Sequence, residues 1–405
     1  MKPLALLIAV VCSTAISFAQ QDFPSSEEGW TAYDAFNSVF LDSTKYIYRD
    51  HSLRERAVDR WNGAAAIWCQ AIYFDMAVNA CRKAQCEHDK ARISLYKDLV
   101  RHLFEGEGKQ YSDFNFHDCN INTGWFVYDD IMWWTCALGR AYETFGRKEY
   151  LTLAEESFLR VWYGSPIVGD DGSYADPSRG LGGGMFWEWQ PIDHPKTHRR
   201  GDFRSACICF PTVIAACILS QNVSKKHRTS TLDHPTSQSR TWYLAKAKEI
   251  YSWTTSTLVK NGRVADGIHG GGPEWKDHLY NQATFIGASC LLYRITKEKE
   301  YLENAKAGAD YVFHTMCREG LLPLETGIEQ GIYAAIFAQY MHELIYNLGQ
   351  TQYLAPLREN IREGWRHRDT HLGISDGFFA SPTQADKAIE SYPASALPAL
   401  MLSIH

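Results

Sequence analysis

Basic charge is scarce in this chain of 405 residues. Its 41 Lys and Arg face 47 Asp and Glu, a net charge of −6. That excludes the electrostatic footprint of a nucleic-acid binder and leaves no extended Lys/Arg run for an anionic membrane. Beyond the N-terminus no segment is apolar enough to span a bilayer. Metal-ligand spacing is missing as well. Cys207-Ile208-Cys209 and His117-Asp118-Cys119 have no second pair at zinc-site distance, so neither a metal nor another cofactor is expected. None of the 15 His sits beside a Ser or Cys in a nucleophile motif, which argues against acyl transfer. The Gly-rich stretches 164–191 and 262–275 follow no strand, and the first lacks the Lys-Ser/Thr of a phosphate loop. Both read as cleft walls ending in Trp187, Trp189 and Trp275.

Aromatic residues are plentiful: 13 Trp, 22 Tyr and 19 Phe. Flat rings suit sugars, and they fill cores equally well. The N-terminus reads as a signal peptide, residues 1–19. Lys2 precedes the short apolar run Leu4–Cys12, and Ser17-Phe18-Ala19 offers a cleavage site before Gln20. Residues 20–405 then form a single exported domain with no membrane span. Of the cysteines, Cys136, Cys207, Cys209, Cys217 and Cys290 fall in apolar helical patterns, while Cys81 and Cys86 are the candidate disulfide.

Helical periodicity runs over Trp30–Phe40, Arg56–Ala80 and Ile93–Phe104. An internal repeat follows. Tyr142, Tyr150, Leu151 and Ala154 recur at the spacing of Tyr293, Tyr301, Leu302 and Ala305, with partial copies at Tyr243-Leu244 and Tyr353-Leu354. Each unit reads as an αα-hairpin. One hairpin cannot bury both faces, whereas several in a ring can, with inner helices lining a funnel. The polar stretch 221–240 reads as a surface insertion, and the chain beyond Gly364 as a short cap around the barrel.

One stretch stands apart. Asn122–Trp134, NTGWFVYDDIMWW, sets Asp129 and Asp130 among Trp125, Phe126, Tyr128, Trp133 and Trp134. Acids rarely sit among so many rings unless paired or used. Ile131, Trp134, Leu138 and Tyr142 follow at helical spacing, so a helix begins near the two aspartates and points its first turn into a carbohydrate cleft. An ordinary acidic first turn explains the same pair.

The run Trp125-Phe126-Val127-Tyr128-Asp129-Asp130-Ile131-Met132-Trp133-Trp134 resembles the Asp-Asp signature of family 76 glycoside hydrolases, the endo-α-1,6-mannanases. Gly183-Gly184-Met185-Phe186-Trp187, Asp266-Gly267, Tyr280-Asn281-Gln282 and Tyr301-Leu302 follow in the family's order. The resemblance implies an all-α (α/α)6 barrel and hydrolysis of α-1,6-mannan with retention. It also implies Asp129 as nucleophile, Asp130 as acid/base, and α-mannan or manno-oligosaccharides as the partner. The chain departs from the family at Tyr333–Gln339 and at Cys209, where relatives often carry Asn; both bear on outer subsites.

Retaining hydrolysis needs two carboxyls about 5–5.5 Å apart. Two carboxylates about 5 Å apart at an effective dielectric near 20 repel by roughly 3 kcal/mol, enough to separate their titrations by about two pH units. Adjacent side chains at a helix start can reach that separation by rotation. Asp266, Asn281 and Gln282 are candidates for holding hydroxyls, and Trp125, Tyr128, Trp187, Trp189 and Trp275 for the rings around the sugar. Glu188 and Glu329 are weaker candidates. Rival readings are a transglycosylase using the same pair, a non-catalytic glycan-binding barrel, and another α/α-barrel enzyme such as an uronyl hydrolase.

Overall fold

The computed structural model describes residues 23–53, 63–118, 125, 127–189, 202–224, 237–327, 329–384 and 386–404. Among these residues, twelve helices of eight or more residues alternate between an outer and an inner layer. They are α1 Ser26–Phe40, α2 Ile67–Cys86, α3 Lys90–Gln110, α4 Tyr128–Phe145, α5 Lys148–Tyr163, α6 Ala206–Asn222, α7 Arg240–Leu258, α8 Leu279–Thr296, α9 Lys299–Tyr311, α10 Tyr333–His342, α11 Leu354–His367 and α12 Ala396–Ser403. The even-numbered helices close a ring in the order α2, α4, α6, α8, α10, α12 and back to α2. Among the odd-numbered helices, α3, α5, α7 and α9 lie outside their hairpin partners, and α1 and α11 both pack on α12. This is the (α/α)6 barrel.

Sequence explains the two layers. Inner helix α6 is buried almost from end to end, Ala206 to Ser220, as an all-round apolar helix must be. Outer helix α1 buries one stripe, Trp30, Tyr33, Phe36 and Phe40, at the three- to four-residue period of a one-sided helix. Its start is a capping box: the Ser25 hydroxyl accepts from Glu28 N–H while the Glu28 carboxylate accepts from Ser25 N–H. The repeat seen in sequence is a repeat of hairpins. Gly146 ends α4 in left-handed geometry, its N–H reaching Tyr142 O at 2.8 Å, and Lys297 ends α8 in the same way on Tyr293 O at 2.8 Å. Glycine fits that conformation freely, whereas Lys297 adopts it at some cost.

Three expectations are corrected. Gly63–Ala66 is not helical and Ala64 bridges Arg49, so the described helix begins at Ile67 rather than Arg56; Trp61 lies outside the described residues, as do the signal peptide, Gly124, Phe126 and Cys119. The C-terminal segment is more than a cap, because its last helix, α12, completes the inner ring. Cys81 and Cys86 are unbonded, one buried and one exposed. They stand five apart on α2, on different faces.

Stretch 262–275 contains short strands. Gly267–His269 pairs with Arg204–Ser205 on one side and Gly272–Glu274 on the other, all antiparallel. Runs of two or three residues are too short for alternation to show in sequence. The glycines before Trp187 serve packing: a Cβ on Gly184 would fall 2.4 Å from the Trp253 ring, whose Nε1 donates to Gly182 O at 2.9 Å.

Candidate active site

The first turns of the inner helices face one another at the same end of the ring. Trp68 opens α2, Asp129 and Asp130 open α4, Cys207 opens α6, Tyr280 opens α8 and Tyr333 opens α10. All of them line a cavity of about 490 Å3, within the range of about 300–1,000 Å3 usual for small-molecule sites. Val127, Trp133, Trp187, Glu188, Phe203, Ser205, Asp266 and Glu329 add to its walls. Five of the lining residues are acidic: Asp129, Asp130, Glu188, Asp266 and Glu329. Among the described lining residues none is Lys or Arg. Helix starts favour negative charge through their unpaired amides, so this end of the barrel is suited to hold carboxylates.

The start of α4 is held from three directions. Tyr128 N–H donates to Trp187 O at 3.1 Å, and Val127 bridges Glu188 in antiparallel fashion. The Tyr128 hydroxyl donates to Asp170 at 3.0 Å. Asp170 receives both terminal nitrogens of Arg160, at 2.9 and 2.7 Å, and Arg160 Nε donates to Phe116 O. Both side chains of that pair are fully buried. Such a pair strongly penalises any motion that separates it, and it sits immediately behind the two aspartates.

Asp129 is 8% exposed and its Oδ1 has no hydrogen-bond partner. Burial pushes its carboxyl pKa up to about 7, opposed by the Cys207 thiol and the Trp187 side chain. A proton is therefore available at this carboxyl near neutral pH. Across the cavity, Asp266 accepts from Asn281 Nδ2 at 3.0 Å, and His278 Nε2 stands 3.8 Å from it. His278 in turn meets Glu325 through Nδ1. Tyr280 and Tyr333 stack at 4.0 Å with ring planes 12° apart, and Trp68 Nε1 donates to Glu329 at 2.5 Å.

The expected site residues separate into two groups. Asp129, Asp130, Trp187 and Asp266 line the cavity. Trp125, Tyr128, Asn281, Gln282 and Trp275 do not line it. Trp125 is fully buried, donating to Tyr111 O at 3.0 Å and packed edge-on to Phe116. Tyr128 is spent on Asp170. Asn281 is buried behind Asp266, with its own Oδ1 unpartnered. Gln282 is a backbone clamp, accepting from Val264 N at 2.7 Å and donating to Gly262 O at 2.8 Å. Trp275 lies under the Arg263 guanidinium, 5.6 Å from its ring centre. Sequence reasoning passed over Trp68, Phe203, Cys207, Tyr280 and Tyr333 as site residues. For all but Phe203 the available signal was position, within the first turn of an apolar helix.

Solved structures share the fold. A GH76A α-1,6-mannanase from Salegentibacter sp. HEL1_6 superposes with a TM-score of 0.73 at 20% identity, covering 93% of this chain and 98% of that one. Lin0763 from Listeria innocua gives 0.72 at 21%, covering 93% and 96%. Bt3792, a family 76 mannosidase from Bacteroides thetaiotaomicron, gives 0.72 at 17%, also covering 93% and 96%. An inactive form of the Salegentibacter enzyme, with two consecutive aspartates changed to alanine, is in complex with α-1,6-mannotetrose. Among curated proteins none matches this chain. Residues 33–373 match the model of glycosyl hydrolase family 76, and the chain belongs to that family.

Proposed function

We propose that this glycoside hydrolase is an endo-acting α-1,6-mannanase that retains anomeric configuration, with Asp129 and Asp130 as its two working acids. The observation that supports this most is the consecutive pair in the first turn of α4, both members lining the cavity. In the inactive Salegentibacter enzyme two consecutive aspartates are the residues replaced, which supports the same assignment here. One carboxylate attacks the anomeric carbon while the other protonates the leaving oxygen; water then releases the sugar, deprotonated by the second acid. The resemblance assigns attack to Asp129 and proton transfer to Asp130. Near neutral pH, burial raises the affinity of Asp129 for a proton. Binding of sugar then fixes which oxygen carries the proton. The acidic walls disfavour a uronic-acid substrate, whose carboxylate they repel.

Linear α-1,6-mannan incubated with the pure protein is expected to yield short oligomers, the first product carrying the α configuration by NMR. Asp129→Asn and Asp130→Asn are each expected to lose at least about a thousandfold in kcat, with thermal unfolding showing an intact fold. Near-normal turnover in both variants removes the assignment. Products longer than the substrate point to transglycosylation through the same intermediate. Residues 20–405 are proposed as the exported mature chain, checked by the mass of the protein secreted by its host.

A further inference from the structure

We infer that His278 and Glu325 are positioning residues for Asp266, holding its carboxylate in one orientation on the cavity wall so that it meets substrate hydroxyls. This rests on the reading of the cavity as the sugar site. Asp266 lines that cavity, whereas neither His278 nor Glu325 does. The Asp266 backbone is pinned on both sides. Its N–H donates to Glu274 O at 2.9 Å, and its carbonyl accepts from Ala206 N–H at 2.9 Å and from the Ser205 hydroxyl at 2.7 Å. Only the side chain is left to turn. Asn281 Nδ2 donates to Oδ1 at 3.0 Å, and His278 Nε2 faces Oδ2 at 3.8 Å, within reach of an N···O ion pair. A carboxylate has about four acceptor sites. One on each oxygen is thereby directed at protein, and one on each remains for a neighbouring pair of sugar hydroxyls.

His278 is itself fixed. It immediately precedes α8, is 5% exposed, and stands edge-on to Tyr280 and Tyr333, with ring centres 5.7 and 5.8 Å away. Its Nδ1 donates to Glu325 Oε2 at 2.5 Å, and Leu279 N–H donates to Glu325 Oε1 at 2.6 Å. Both oxygens of Glu325 are thus spent on the start of α8, where unpaired amides favour a carboxylate. With Nδ1 engaged the imidazole cannot rotate, and Nε2 is left toward Asp266. The three side chains run in line from Glu325 through His278 to Asp266. A tie between the loop bearing Glu325 and the start of α8 needs only Glu325 and Leu279 N–H. It leaves unexplained why the second ring nitrogen is turned to Asp266.

The full chain is compared with Glu325→Ala, with His278→Phe, which keeps a ring beside the tyrosines and removes both nitrogens, and with His278→Gln, which keeps a donor. Thermal unfolding first confirms the fold; His278→Leu replaces the phenylalanine variant if that one does not fold. On linear α-1,6-mannotetraose, His278→Phe and Glu325→Ala are each expected to lower kcat/KM about tenfold, chiefly through KM, and His278→Gln to recover part of it. In an Asp266→Ala background each is expected to cost less than about twofold, because a residue that acts through Asp266 has nothing left to position. The same loss with and without Asp266 overturns the inference. The second readout is the crystal structure of His278→Phe, in which the Asp266 carboxylate is expected to turn out of its wild-type orientation or to occupy two. An unchanged single orientation also overturns the inference. If wild-type protein cleaves no α-1,6-mannan, the mannanase reading fails instead, and the Asp266 orientation in the variant still decides the role of His278.

Discussion

At the mouth of the barrel five carboxylates line a cavity whose described walls hold no Lys or Arg. At the far end, cations meet acids: Arg140 with Asp75, Arg82 with Glu143 at 3.8 Å, and Arg294 with Glu343 at 2.9 Å. The difference follows the direction of the inner helices. Their starts favour anions, and their ends, near Arg82, Lys83 and Arg294, favour cations. At the far end the charges are matched and serve to tie helices together. At the mouth five acids share one cavity, and acids gathered in a cleft are candidates for chemistry.

The comparison breaks most sharply at the buried Arg140–Asp75 pair, which bridges α2 and α4 and reaches the Tyr340 hydroxyl at 3.3 Å. Both side chains are almost fully buried. Arg140→Met is expected to cost about 3–5 kcal/mol in denaturant unfolding, and Arg140→Met with Asp75→Leu to recover most of it. Equal losses in the single and double variants would mean that the site depends on charge rather than on pairing.

At the mouth the opposite sign is expected. Burial raises the Asp129 pKa from 3.8 to about 7. The folded state therefore binds more protons than the unfolded one across that window, and stability falls as pH rises through it. Asp129→Asn removes this dependence. The variant is expected to melt higher than wild type at pH 8 and at the same temperature near pH 4. A lower melting temperature at pH 8 would show Asp129 to be a structural acid like Asp170.

A smaller effect separates the two tryptophans. Trp187 lines the cavity, whereas Trp275 is held by Arg263 away from its walls. Trp187→Ala is expected to raise KM on manno-oligosaccharides about tenfold, and Trp275→Ala to change it by less than about twofold. Equal rises would place Trp275 on the path of longer chains.

The sequence by itself determined the hairpin repeat, because apolar periodicity and turn residues are local properties. It also determined that Asp129 and Asp130 sit in the first turn of α4, since the apolar spacing from Ile131 onward leaves them just inside its start. Only the tertiary structure decided which aromatic rings face the cavity. Trp125 and Trp187 carry the same side chain, and one is buried beside Phe116 while the other lines the cavity. Tyr280 and Tyr333 stack although 53 positions apart, because α8 and α10 are neighbours in the ring. The sixth inner helix, α12, spans Ala396–Ser403 and is apolar up to its last residue. Eight residues show no period of their own, so its place was set by the gap between α10 and α2 that it fills.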